Sequence, residues 1–141
     1  MSAITILGTD EPCGTYILRI SISDDLAVRF GRYRQGSPVA VPRGDVLYVG
    51  SAMARAGSMT LARRLLRHAT RQPPKPPHHL RPALIEALHA AGLAASGLQP
   101  PTNKKLFWNI DHLLDEESLQ LQQLIILRSA FRLEDEVAGM L

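Results

Sequence analysis

The chain reads as one small α/β domain of the α+β kind, a mainly antiparallel sheet flanked by helices. Three observations predict this. Residues 14–23 alternate apolar and polar side chains, the period of a half-buried strand. Residues 59–71 repeat their apolar positions at the helical period instead. With 141 residues, 45% of them hydrophobic, the chain can bury a core without disulfide or metal staples.

In the first strand, Tyr16, Leu18, Ile20 and Ile22 share one face, while Thr15, Arg19, Ser21 and Ser23 mostly hold the other. Asp24-Asp25 signals a tight turn, so 26–30, with Leu26, Val28 and Phe30 in phase, should return antiparallel. A loop through Gly31 and Gln35-Gly36-Ser37 leads to a short segment at 39–41. Pro42-Arg43-Gly44-Asp45 is a second turn, followed by a compact strand at 46–50. Residues 51–58 are small and loop-like, and Gly57-Ser58 suits the start of a helix.

In the helix over 59–71, Leu61, Ala62, Leu65, Leu66 and Ala69 face the sheet. Arg63, Arg64, Arg67 and Arg71 fall in an opposing arc with His68 at its border, which predicts a solvent-facing basic ridge. Pro73, Pro74, Pro76, Pro77 and Pro82 exclude regular helix or central strand up to the short Ala/Leu helix expected over 82–91. Residues 72–103 thus read as a loosely packed insertion whose deletion costs little stability, with His78-His79 in solvated loop. Beyond it, 104–114 is amphipathic and open to either strand or helix, 119–127 is strongly apolar, and 133–140 has helical composition. Residues 1–141 form a single domain without repeats.

Charge and cysteine content narrow the setting. No apolar run approaches the roughly 18–20 residues of a membrane span. The first residues, MSAITILGTDEP, lack the basic start of a secretory signal, and the lone Cys13 has no internal partner. The expected location is the cytoplasm. No Asp or Glu occurs between Val46 and Ile85, where Arg55, Arg63, Arg64, Arg67, Arg71, Lys75 and Arg81 concentrate. Such a basic stretch is the footprint expected for a phosphate-bearing partner.

Gly14-Thr15-Tyr16 opens the first strand, and Tyr48-Val49-Gly50 closes a later one. Tyr48-Val49-Gly50-Ser51-Ala52 then precedes the basic helix LARRLLRH, and KKLFWNIDHLL follows the insertion. This ordered set resembles the GIY-YIG nuclease superfamily. It is most similar to a branch found alone or fused to base-excision endonucleases, with YVGSA, an arginine helix ending in Arg-His, and a Trp-His-Ile-Asp motif. The likeness spans about 12–71 and 104–138.

The resemblance implies a GIY-YIG-like fold in which Tyr16 and Tyr48 are the tyrosines of the two naming motifs. Arg64 matches the helix arginine through Leu61-x-x-Arg64-Leu65-x-x-His68, with His68 at the Tyr/His position. Glu134, in Leu133-Glu134-x-x-Val137, resembles the metal-binding glutamate, with Glu136 as the alternative. Trp108, Asn109 and Asp111 fall on the branch motif without an assigned role; Asn109 stands where the branch has histidine. The insertion is longer than the family needs, and the Cys- and His-containing tail of longer relatives does not follow.

The chemistry is coherent without the family. Phosphodiester hydrolysis needs an activated water, charge neutralisation on phosphoryl oxygens and help for the leaving oxygen. Arginine supplies planar, permanently charged donors, and one carboxylate can hold a Mg²⁺ that keeps most of its waters. A tyrosine of pKa near 10 is only about one part in a thousand ionised at pH 7, so it needs a neighbouring cation to act as a base. His68, one turn beyond Arg64, titrates near neutrality and could relay its proton.

Plainer roles stand beside these. Tyr16 is in phase with Leu18 and Ile20, as a core aromatic with its hydroxyl at the surface would be. Arg55, Arg63, Arg67 and Arg71 read as DNA phosphate contacts or solvated charges, Glu134 as an ordinary exposed acid, Trp108 as a core or packing residue, and Asp111 as a cap or turn residue. The leading expectation is a DNA endonuclease domain dependent on a single Mg²⁺ or Mn²⁺, working in DNA repair or processing beside a repair-protein partner. The alternative is a catalytically silent nucleic-acid-binding module.

Overall fold

The computed structural model describes residues 2–8, 10–94 and 97–141. Its main sheet joins Ile4–Leu7 (β1), Gly14–Ile22 (β2), Gly44–Ala52 (β5) and Leu119–Arg128 (β6) in the spatial order β1-β6-β2-β5. A separate ribbon pairs Leu26–Val28 (β3) with Val39–Val41 (β4). The helices are Leu61–His68 (α1), Arg81–Ala90 (α2), Asn109–Leu114 (α3) and Glu134–Met140 (α4). The class is α+β, with one small mixed sheet and a two-stranded antiparallel ribbon flanked by helices. None of the described helices is long and apolar enough to cross a membrane.

The alternation of β2 puts Tyr16, Leu18, Ile20 and Ile22 into the core, against Leu61, Leu65 and Leu66 of α1 and Leu84 and Leu88 of α2. Fully burying each such leucine is worth about 1.5–3 kcal/mol. Strand β2 pairs antiparallel with β5 on one side and β6 on the other. Its register with β6 slips between Arg19 and Ile20, where Gln122 is the extra residue. This bulge explains why 119–127 shows no clean alternation. Leu119 and Leu121 are two residues apart, the step to Leu124 is three, and all face the core with Ile126.

Several expectations are corrected. Residues 26–28 do not return along β2; they pair with β4, so the Asp24-Asp25 turn leads out of the main sheet. The sheet also gains β1, which runs parallel to β6 and makes it mixed; four residues are too few to display a period. The helix starts later than Gly57-Ser58: Thr60 is its N-cap, its hydroxyl accepting the Arg63 N–H at 3.4 Å.

The larger correction concerns the expected insertion at 72–103: residues 72–88 are anchored in the core rather than forming a loose excursion, and residues 95 and 96 lie outside the described residues. Leu80, Leu84 and Leu88 are buried beside α1. His78 is not solvated but fully buried, and its ring stitches two strands of chain together. The Leu121 N–H donates to Nδ1 at 2.9 Å, so Nε2 carries the proton and donates to the Leu114 carbonyl at 2.8 Å. Asp115 accepts from the Gln72 N–H at 2.7 Å and pairs with Lys75. Arg71 is 2% exposed and donates to the carbonyls of Glu116, Pro76 and Leu119.

Burial, with the nearby Arg71 cation second, pushes the His78 imidazole down to about 4. The unfolded chain therefore binds a proton below pH 6.5 that the folded chain refuses. Stability from His78 is complete above pH 6.5 and is lost as pH falls toward 4, by up to about 1.4 kcal/mol per pH unit. At pH 7.5, His78→Ala should cost about 2–3 kcal/mol in urea unfolding, by stranding the Leu121 N–H and the Leu114 carbonyl. The gap between wild type and variant should narrow at pH 4.5; a gap independent of pH would contradict the neutral, doubly bonded ring.

Candidate active site

Five elements of the fold meet in a cleft of about 260 Å³. The edge strand β5 supplies Tyr48, Gly50 and Ser51, and β2 supplies Tyr16 beside it. Helix α1 contributes Arg64 and His68, the start of α3 adds Trp108, Asn109 and Ile110, and the entry to α4 brings Arg132 and Glu134.

Tyr16 stands directly opposite Gly50 in the β2–β5 register, and this glycine makes room for its ring. A Cβ there would lie 2.6 Å from both Cζ and Oη of Tyr16. So accommodated, the Tyr16 hydroxyl hydrogen-bonds His68 Nε2 at 2.8 Å. The Tyr48 ring lies edge-on to the same imidazole, with centroids 6.2 Å apart. The Nδ1 of His68 is buried without a hydrogen-bond partner among the described residues.

Arg64 is held from two sides. Its Nη1 donates to the Ser51 carbonyl at 2.6 Å, and its guanidinium lies 4.8 Å from the centre of the Trp108 ring. Thr15, one residue before Tyr16, faces the other side of the sheet by strand alternation. Its buried hydroxyl lies 3.1 Å from Ser51 Oγ and accepts the Leu133 N–H at 3.0 Å, which fixes the entry of α4 and with it Glu134. Neither Thr15 nor Ser51 shows any chemical signature in the sequence. Only the pairing of the two motif strands would have marked them.

Burial dominates the electrostatics. It raises the Tyr16 hydroxyl well above the ordinary tyrosine range; Tyr48 adds to this, and the adjoining Arg64 only partly offsets it. Tyr48 is raised by burial and then by the Glu134 carboxylate. Burial, followed by the Lys104 cation, pushes His68 down to about 3. At neutral pH the cleft thus holds two phenols and a neutral imidazole, with Arg64, Arg132 and Glu134 as its charged groups. Arg132 and Glu134 pair loosely at 3.4 Å. Among the described residues, no three His, Cys, Asp or Glu side chains come together as a metal cluster.

Residues 15–141 match the family model described as Domain of unknown function DUF123. The chain belongs to the DUF123 family. No curated protein and no solved structure matches it. The match runs from β2 to the end of α4, so every residue lining the cleft lies in the DUF123 domain.

Within the DUF123 domain, the structure gathers Tyr16, Tyr48, Arg64, His68, Glu134, Trp108 and Asn109 at one place. Of the two glutamates, Glu134 lines the cleft, and Glu136 is exposed and outside it. Trp108 is not core packing: it is 40% exposed at the rim. Asp111 is buried behind the rim, accepting from the Phe107 and Trp108 N–H groups at 2.9 and 3.0 Å and from Arg67 at 2.8 Å. Burial alone would raise its carboxyl, but the hydrogen bonds from Arg67 and the two amides outweigh that and hold it below the usual range.

The basic ridge is only partly a ridge. Arg71 is withdrawn into the interior and cannot reach a phosphate, and Arg67 is tied to Asp111 and the Lys105 carbonyl. Arg55 is exposed but paired with Glu11 at 2.9 Å. Arg63 is exposed and carries no ion pair among the described residues.

The close fit at Gly50 yields a direct test. Gly50→Ala should destabilise the domain by about 1–3 kcal/mol, the usual range for overpacking, and push the Tyr16 hydroxyl off His68. Gly139→Ala on α4, where an added Cβ meets nothing within 4 Å, should be neutral or stabilising by about 0.5–1 kcal/mol. Urea unfolding of both variants measures this; equal effects would mean that the Gly50–Tyr16 approach is not a constraint.

Proposed function

We propose that this cleft hydrolyses DNA phosphodiester bonds, making the domain an endonuclease of the GIY-YIG type used in DNA repair or processing. The observation that carries the reading is the convergence of Tyr16, Tyr48, Arg64, His68 and Glu134, from four separate parts of the chain, on one cleft. A site that transfers phosphoryl groups relies on positioned charge more than on covalent chemistry.

Arg64 is suited to grip a non-bridging phosphoryl oxygen. Two of its N–H groups are used by Ser51 O and Met59 Sδ, and a guanidinium has five. Tyr16, held as a phenol, accepts the proton of the attacking water at Oη while passing its own to Nε2 of the neutral His68 ring; as the water oxygen bonds to phosphorus, the P–O bond to the leaving oxygen breaks and that oxygen takes its proton from solvent. The negative charge of a bound phosphate favours that protonation. Tyr48 orients the water or the scissile group from the cleft wall. Arg132 balances Glu134.

The donor set fits one Mg²⁺ or Mn²⁺. Glu134 offers a hard carboxylate beside two phenolic oxygens, and such an ion keeps most of its waters on one or two carboxylates. Bound there, the ion would supply Lewis-acid charge to a phosphoryl oxygen. A silent nucleic-acid-binding module is the second reading, favoured by the burial that keeps both tyrosines protonated at neutral pH.

Labelled single strands, flaps, nicks and junctions incubated with Mg²⁺ or Mn²⁺ separate the two readings. Wild type should cut at least one substrate, and EDTA should stop it. Arg64→Ala should lose about 10²-fold or more in rate, unrescued by Arg64→Lys, which lacks the planar fork. Arg63→Ala should mainly weaken binding and reduce its salt slope. Salt-sensitive binding with all substrates intact would leave the silent module standing.

A further inference from the structure

A run of exposed aromatics lies beside the cleft. Phe107 is 69% exposed and Trp108 40%, unusual for consecutive large apolar side chains on a small domain. They are not loosely attached. One buried carboxylate, Asp111, accepts both of their backbone N–H groups and also binds Arg67. The Arg67 guanidinium lies 5.5 Å from each ring centroid, and Arg64 is 4.8 Å from that of Trp108. Phe107, Arg67, Trp108 and Arg64 therefore form a continuous series, and its last two members line the cleft itself.

We infer that Phe107 and Trp108 are a preorganised stacking platform for unpaired bases, which leads single-stranded or extruded nucleotides into the cleft. Exposed aromatic faces interleaved with cations recognise single strands because every base offers a π-face and every nucleotide a phosphate. Duplex bases cannot use such a platform, since their faces are already stacked on one another. Arg63, one turn before Arg67 on α1, and Lys105, two residues before Phe107, are exposed and unpaired among the described residues. They are placed to follow the backbone of such a strand. Asp111 fixes both aromatic backbones, so little conformational freedom is lost on binding. The platform specifies the substrate class of the proposed endonuclease and rests on that reading for what happens next, but binding can be tested without cleavage.

Trp108 is the sole tryptophan, so intrinsic fluorescence reports on this position alone. In EDTA, where cleavage is stopped, an oligo-dT strand should quench that fluorescence, and a blunt duplex of equal length should not. By anisotropy with labelled oligo-dT, Phe107→Ala and Trp108→Ala should each weaken binding by about 5- to 100-fold, and Trp108→Tyr should restore most of the loss. Duplex affinity should be unchanged. Phe107→Ala removes an exposed ring, and an unaltered thermal transition verifies that this variant folds. Absence of quenching, or equal losses on single strand and duplex, would overturn the platform. Cleavage by wild type with Mg²⁺ or Mn²⁺ is scored separately. Quenching without cleavage defeats the catalytic reading and keeps the platform; cleavage without quenching does the reverse.

Discussion

Strand β2 is bonded along both edges, to β5 and to β6, so a shift of one residue would turn its core face outward and break two ladders at once. That fixed register places two adjacent residues on opposite faces with different partners. Tyr16 goes to the core side, over Gly50 and onto His68. Thr15 goes to the far side, where Ser51 and the Leu133 N–H hold the entry of α4. One step along one strand therefore sets both the phenol–imidazole pair and the position of Glu134. Gly14 tightens the same strand, since a Cβ there would lie 2.2 Å from the Leu127 carbonyl oxygen.

A second scaffold is polar and buried. The basic stretch around α1 and the acidic stretch from Asp111 onward look in the sequence like two separate surfaces. In the fold they meet, through Arg67 with Asp111, Lys75 with Asp115, and Arg71 with the backbone carbonyls of Glu116 and Leu119. Inside a low-dielectric interior such networks fix geometry, and each missing partner leaves a costly orphan; in this one Arg67 Nε and Asp111 Oδ1 are buried without a hydrogen-bond partner among the described residues. This wiring makes residues 72–80 structural despite their prolines. Those prolines remove backbone donors, and side chains such as Arg71 and His78 bind the segment in their place.

What could be read in advance follows from this division. The alternation of β2 and the apolar stripe of α1 are local signals, and both elements form where those patterns lie. The gathering of Tyr16, Tyr48, Arg64, His68 and Glu134 was legible through ordered motifs rather than through spacing alone. The pairing of β3 with β4, the parallel β1 and the Gln122 bulge depend on partners distant in sequence. No local period could encode them. The burial of His78 and Arg71 was hidden for the same reason, because their compensating acceptors come from residues far along the chain.

The contrast between Arg64 and Arg67 shows how identical side chains on one helix acquire different roles. They are three residues apart on α1 and both approach the Trp108 ring. Arg67 meets Asp111, whose carboxylate is fully buried and could not remain charged there without such a partner. Its charge is thereby committed to the fold, and its exposed planar face is what remains for a neighbour. Arg64 meets neutral acceptors, the Ser51 carbonyl and the Met59 sulfur, and makes no ion pair among the described residues. A guanidinium oriented by neutral groups at the mouth of a cleft keeps its attraction for an anion. An ion-paired one keeps mainly its shape. The domain thus separates holding the rim together from offering charge to a ligand, and it does so by the choice of acceptor.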